Sequence, residues 1–395
     1  FAGHTGNHGF TLPEGETWQG ITSLSSISGA GYYYLTKNVK VYAKKWEPKN
    51  GVVLDLNGYT LSSIYSGDFN NGVITIGKGV TFTLTDCNGS GNGKGIVTRD
   101  SGQNGRGVYV AGGGVFYMYG GTISGNSAKV GDPVYGGGVY VEGSTKNSGT
   151  VGTFHMYGGA ISDNTAYNSK GNSGGAGVYV GEGAAFYLHD GSISGNRVLK
   201  SAGSSSGGGV YVGSKGTFVF EKGSVSYNYA DNGGGIFVDT DGDFMMLIPN
   251  FIDAGGNTEG TANTAKFGGG VYTKGDCTLS GDAAVSGNEA ISSGEITNKD
   301  GHGGGVYIES GTFVLSGNAK VSGNTAKYGG GVSFFTEDTS ASFTMSDSAA
   351  VSGNTAVSYG GIAVLGGSFT MESGKVTLNK ATAGSAGGVG VGNGG

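Results

Sequence analysis

Short runs of alternating apolar and polar residues recur along the whole chain in one order. A run such as Val108-Tyr109-Val110 follows a stretch of glycine. A second, such as Phe116-Tyr117-Met118, comes several residues later. A third ends in Ile/Val-Ser/Thr-x-Asn, as from Ile123 to Asn126. Period-two alternation puts residues i and i+2 on one face of a strand. Both valines, the Phe and Met/Leu pair and the Ile/Val therefore face inward, and residues such as Tyr109 and Tyr117 face outward. The first run occurs ten times, at Val108, Val139, Val178, Val210, Ile236, Val271, Val306, Val332, Ile362 and Val389. A spacing of roughly 31 residues is the signature of a solenoid, in which each coil buries its apolar face against its neighbours.

The pattern predicts an all-β fold, a right-handed parallel β-helix (β-solenoid) of about twelve coils of three short strands. The helix is expected over residues 51–395, with an N-terminal cap over 1–50. Two early rungs are read at Val52–Gly58 and Gly72–Ile76. Trp18, Ile21, Leu24 and Ser28 fall near helical spacing, which predicts a short helix covering the first rung's bare edge. The recurring Asn is expected in a left-handed bend, its amide stacked into an asparagine ladder. Asn257 is out of step, so a bulge or short loop is expected near 244–257. The last residues, from Gly387 to Val391, read as the start of a further coil, an uncapped end from which the native protein is expected to continue and through which copies could self-associate. A start at Phe1 without Met is read as the mark of a removed secretory signal.

Composition narrows the partners. Glycine is 87 of 395 residues and proline only 4, which fits neither collagen nor a disordered linker. Net charge is −6 with three arginines, which argues against nucleic acid. No apolar run is long enough to span a membrane. Cys87 and Cys277 are expected roughly 25–30 Å apart from the ~4.8 Å coil spacing, too far to bridge. Both read as buried apolar residues.

The outward aromatics are the candidate binding residues: Tyr109, Tyr140, Tyr179 and Tyr211 on the first strand, and Tyr117, His155 and Tyr187 on the second. They could form a flat surface for sugar rings or a protein partner. The alternatives are cross-strand stacking that stabilises the sheet and cover by a folded-back loop. Loops carrying Tyr135, Tyr167 and Phe267 could wall a groove. No catalytic residue and no cofactor is assigned. Asp239, Asp241 and Asp243 are a weak calcium candidate lacking the closing Glu. His4 and His8 read as a flexible terminal pair with a slight prospect of metal binding. Arg99, Asp100 and Arg106 lack the stacked carboxylates that lyase chemistry needs.

The alternation of glycine runs with I/V-S-G-N resembles the repeats of chlamydial polymorphic outer-membrane proteins, although Ile123 and Val285 stand where that family has Phe. It is more similar to Gly-rich parallel β-helix adhesin-like surface proteins of anaerobic bacteria and methanogens, in which segments like Tyr33–Thr36 and Val53–Leu61 precede the repeats. Asp239-Thr240-Asp241 and Gly301-His302-Gly303 also resemble fragments of polygalacturonases, without that family's Asp pair or Arg-x-Lys. The adhesin resemblance implies a secreted or cell-surface binding or spacer module that contacts a glycan or surface protein. The alternatives are a carbohydrate-active enzyme on the same scaffold and a filament or surface-layer subunit.

Overall fold

A computed structural model describes residues 4–66, 71–88, 94–129, 133–144, 149–199, 202–247, 251–253, 262–292, 300–383 and 385–392. The chain is a parallel β-helix. Among the described residues, three parallel sheets run its length, with eleven, thirteen and twelve strands. The first holds the Val-x-Val strands, from Gly72–Ile76 to Val389–Val391. The second holds the Phe strands and extends from Trp18–Ile21 to Ser368–Met371. The third runs from Val39–Val41 to Lys375–Thr377 and precedes the asparagines.

Coils stack without slippage, so like residues meet. Phe82, Phe116, Phe154, Phe186, Phe218 and Phe244 share one register position, and all are fully buried. Phe154 and Phe186 stack with centroids 4.7 Å apart. Cys277 fills the same slot between Phe244 and Phe313, as expected. A one-residue slip would turn this whole column outward.

The first coils differ from expectation. Residues 17–28 contain a strand, Trp18–Ile21, and a single 3-10 turn, Leu24–Ser26, rather than an amphipathic helix. The strand pairs with Gly31–Leu35, which pairs in turn with Val52–Asp55. Stacking therefore begins at Trp18, within the segment expected as a cap. A strand satisfies the peptide groups along the edge of Gly31–Leu35, which a covering helix would leave unpaired. Val52–Asp55 belongs to the second sheet, in register with Phe82 and Leu84, and is not a Val-x-Val rung.

The asparagine ladder is present and longer than expected. Asn126, Asn164, Asn196, Asn228, Asn263, Asn288, Asn324, Asn354 and Asn379 form it, each Nδ2 donating to the Oδ1 of the next at 2.9–3.1 Å. The out-of-step coil supplies Asn263; Asn257 lies outside the described residues. Asn324 is fully buried. Its Nδ2 also donates to the Val285 carbonyl at 3.0 Å, and its Oδ1 accepts the Asn288 backbone N–H at 2.9 Å. Every polar atom of the amide is thus used. The left-handed residue is the one before the Asn, with φ from 55° to 69° at Gly125, Asp163, Gly195, Tyr227, Gly287, Gly323, Gly353 and Leu378. None of the ladder asparagines has a positive φ.

The triplet Gly303-Gly304-Gly305 shows why glycine opens the next strand. Gly303 has φ 65°. A Cβ on Gly304 would lie 2.5 Å from the carbonyl oxygens of Gly330 and Thr325. One on Gly305 would lie 2.7 Å from Gly331 O and 2.9 Å from Asn324 Nδ2. Glycine thus leaves room for both the adjacent coil and the ladder.

Phe313→Ala should destabilise the protein by about 3–5 kcal/mol in denaturant melts, as other buried Phe truncations do. Asn324→Ala removes the acceptor of two donors from Asn288 and should cost on the order of 3 kcal/mol by the same measurement.

Candidate functional site

The first-strand aromatics form one register column: Tyr109, Tyr140, Tyr179, Tyr211, Phe237, Tyr272 and Tyr307. They point away from the core, as the alternation requires, but they are not an exposed surface. Tyr109 is 5 % exposed and Tyr211 8 %, while Tyr140 and Tyr179 are partly buried. The segments after each Asn fold back and stack beside them. Tyr135 stacks on Tyr179 at 4.4 Å, and Phe267 packs against Tyr307 at 5.3 Å. The buried Arg106 guanidinium lies 4.3 Å from the Tyr140 ring centre. Burial raises the hydroxyl pKa values of Tyr109, Tyr179 and Tyr211 and pushes Tyr307 up to about 12. The flat surface expected here is largely covered, because the segments carrying Tyr135 and Phe267, expected to wall a groove, pack onto its rings.

The second-strand residues remain open. Tyr117, His155 and Tyr187 are in register and half-buried. A second file, Tyr119, Tyr157 and His189, runs beside them. The rings stack along the rod: Tyr117 on His155 at 5.1 Å, His155 on Tyr187 at 4.7 Å, Tyr119 on Tyr157 at 4.8 Å and Tyr157 on His189 at 4.1 Å. Their faces are turned to one another, so the ridge presents ring edges. His155 Nδ1 lies 3.2 Å from His189 Nε2, and His189 Nδ1 lies 2.6 Å from the Glu221 carboxylate. Burial, then the His189 charge, lowers the His155 pKa. Glu221 escaped the sequence reading because its partner lies one coil away. Among the described residues no ring contact joins this ridge to the first-strand column. The seven candidate residues therefore divide into a covered set of four and an open set of three.

The acidic candidates divide too. Asp239 accepts the Tyr211 hydroxyl at 2.6 Å. Asp241 sits in a turn with φ 58°. Asp243 pairs in register with Asp276 of the adjacent coil, a juxtaposition the sequence reading did not foresee. These three aspartates do not converge on a common point as ligands. Asp239 also rims a recess of 170 Å³ floored by Tyr211 and Phe237, with Lys274 on the same rim. Lys274 reaches Glu309 at 3.0 Å. Burial, then the Asp239 charge, raises the Glu309 carboxyl. Arg99 and Arg106 are buried, donating to backbone carbonyls, and serve the fold.

No protein-family model, curated protein or solved structure matches this chain. Among the described residues no helix is long and apolar enough to cross a membrane.

Among the described residues one set of metal-ligating side chains does converge: His4, His8, Asp55 and Cys87, with ligand atoms all within 4.8 Å of one another. The two histidines are not a loose pair. His4 stacks on Tyr34 at 4.0 Å, and His8 stacks on Trp18 at 4.4 Å. Cys87 is likewise not an apolar core residue. It is partly exposed, and burial and the neighbouring Asp55 push its thiol up to about 12.

The divided aromatics predict divided costs. Tyr140→Ser combined with Tyr179→Ser should destabilise by roughly 3 kcal/mol or more, since covered, stacked rings are lost. Tyr117→Ser, on the open ridge, should cost under about 1 kcal/mol in the same denaturant titration.

Proposed function

We propose that this chain is an extracellular, cell-surface adhesin-like module, a rod that binds a glycan or surface protein through the open ridge of Tyr117, His155, Tyr187, Tyr119, Tyr157 and His189. The observation that carries the reading is the ridge itself. Six rings in two files over three coils stay partly exposed along their edges, with Tyr157 39 % exposed. Ring edges of this kind make hydrogen bonds and apolar contacts at low entropic cost, as Tyr-rich binding surfaces do. Because the ring faces are used in stacking, a sugar would meet the ridge by hydrogen bonds to its edges rather than by lying flat. Repetition along the rod favours weak contacts summed over several coils. Resemblance to secreted β-helix repeats supports a surface location.

A second reading rests on Asp239, Lys274 and Glu309, which follow the first strands of three successive coils. Two carboxyl groups, of which burial raises Glu309, are the kind of pair used in glycoside hydrolysis. Under that reading Glu309, which lines a separate recess with Tyr307 and Ser310, would be the acid, and a polysaccharide would lie across both that recess and the one floored by Tyr211 and Phe237.

One experiment separates the two. The triple variant Tyr117→Ser/His155→Ser/Tyr187→Ser should fold, as judged by circular dichroism, and lose more than roughly tenfold in retention on mucin or plant-polysaccharide surfaces. Unchanged retention would contradict the ridge as the contact site. Steady release of reducing ends by the unmutated chain, abolished by Glu309→Gln, would establish the enzyme instead.

A further inference from the structure

We propose that His4, His8, Asp55 and Cys87 hold one zinc ion, which ties the N-terminal segment to two successive coils. The site is assembled from three places. His4 and His8 come from the irregular segment before the first strand. Asp55 ends the strand Val52–Asp55, and Cys87 lies two residues beyond Thr85, which is the register partner of Asp55 one coil later. Coil stacking therefore brings the carboxylate and the thiol together, and the histidines close over them.

The geometry is that of ligands aimed at one point. His4 Nε2 lies 2.8 Å from Asp55 Oδ2, His8 Nε2 lies 3.0 Å from the same oxygen, and Cys87 Sγ lies 3.5 Å from His4 Nε2. Tetrahedral zinc with bonds of about 2.0–2.3 Å separates its ligand atoms by roughly 3.3–3.7 Å. The Cys87–His4 distance is within that range, and the two His–Asp55 distances would open by a few tenths of an ångström on binding. His8 Nε2 is buried without a hydrogen-bond partner, although a carboxylate oxygen is within reach. The two atoms are close enough to pair but poorly aligned for a hydrogen bond, an arrangement that co-ligands of one cation share.

The surroundings are arranged for ligation. Asp55 is fully buried, and its Oδ1 accepts the backbone N–H groups of Asn57 at 2.7 Å and Cys87 at 3.1 Å, leaving Oδ2 to face the histidines. His8 hydrogen-bonds the Gly6 backbone. With Nε2 turned to Asp55, a backbone bond of this kind is the usual way a ligating imidazole is oriented. The Cys87 sulfur also lies 3.5 Å from Asn57 Oδ1. A Cβ on Gly6 would come within 2.4 Å of the Cys87 Cβ, so the segment packs directly on the site.

The same geometry excludes a Cys-His-Asp nucleophile arrangement. In such a triad the thiol and the carboxylate face different ring nitrogens, whereas here both face His4 Nε2. Four protein ligands with no position left open make a structural centre. Two imidazoles, a thiolate and a carboxylate suit zinc better than calcium or magnesium, which take oxygen.

The test uses the full chain, stripped with chelator and dialysed against Zn²⁺ or Co²⁺. One equivalent of zinc should bind and raise the melting temperature. Cobalt should give the visible bands of a tetrahedral centre together with a thiolate-to-metal charge-transfer band, which reports Cys87 directly and needs no variant. Cys87→Ser and His8→Ala should each weaken binding by more than roughly tenfold, and Cys277→Ser, at the other cysteine, should leave it unchanged. If Cys87→Ser does not fold, the cobalt spectrum of the unmutated chain decides. Absence of a tight equivalent, a cobalt spectrum without the thiolate band, or undiminished binding in both ligand variants would overturn the proposal.

Discussion

Each coil must turn from its third strand toward the next first strand without leaving a buried peptide group unpaired, and the asparagine ladder meets that requirement. The amides of Asn164, Asn196, Asn228, Asn263, Asn324, Asn354 and Asn379 each accept two donors from the preceding Asn and, in most rungs, donate both to the next Asn and back to a main-chain carbonyl, while Asn126 Oδ1, at the first rung, is buried without a partner. An unpaired group at such a depth costs about 1–3 kcal/mol, so one missing rung is felt on both sides. The glycines opposite the ladder follow from the same constraint. At Gly305 a side chain would occupy the space where Asn324 Nδ2 and the next coil's carbonyl already lie. Ladder and glycine run are two halves of one corner.

The corner also sets what the rest of the surface can do. Because the chain leaves the ladder at a fixed place, the segments after each Asn stack into short ladders of their own. Those segments lie across the outer face of the first sheet and bury its tyrosines. Among the described residues no ring contact brings a post-Asn segment onto the second sheet's ridge; the N-terminal segment reaches it at Tyr119, against Phe10 at 5.1 Å, and the ridge aromatics otherwise stay half-exposed. A single repeating sequence thus yields one largely covered and one open aromatic column.

The strands, the buried Phe column and the ladder were legible in the sequence because they depend on local alternation and on a recurring residue. The left-handed bend was placed one residue late, since a Gly-Asn pair offers two residues that tolerate positive φ. Asn263 was missed because an irregular coil broke the spacing on which the other rungs were read. The outward direction of Tyr109 and Tyr211 was legible, but their burial was not, since it depends on residues such as Tyr135 and Phe267 in the fold-back segments. The His4, His8, Asp55 and Cys87 cluster forms no motif along the chain. The available signal was that Asp55 and Cys87 follow corresponding strands one coil apart.

The claim that this corner organises the rod is tested most directly by hydrogen exchange measured residue by residue in the folded protein. Backbone amides of Asn164, Asn196, Asn228, Asn288, Asn324 and Asn354 donate to the ladder or to the adjacent coil. They should exchange only through global opening, as slowly as the Phe-strand amides. Exchange of these amides at loop-like rates while the Phe strands stay protected would show that the sheets hold without the corner, and would contradict the account.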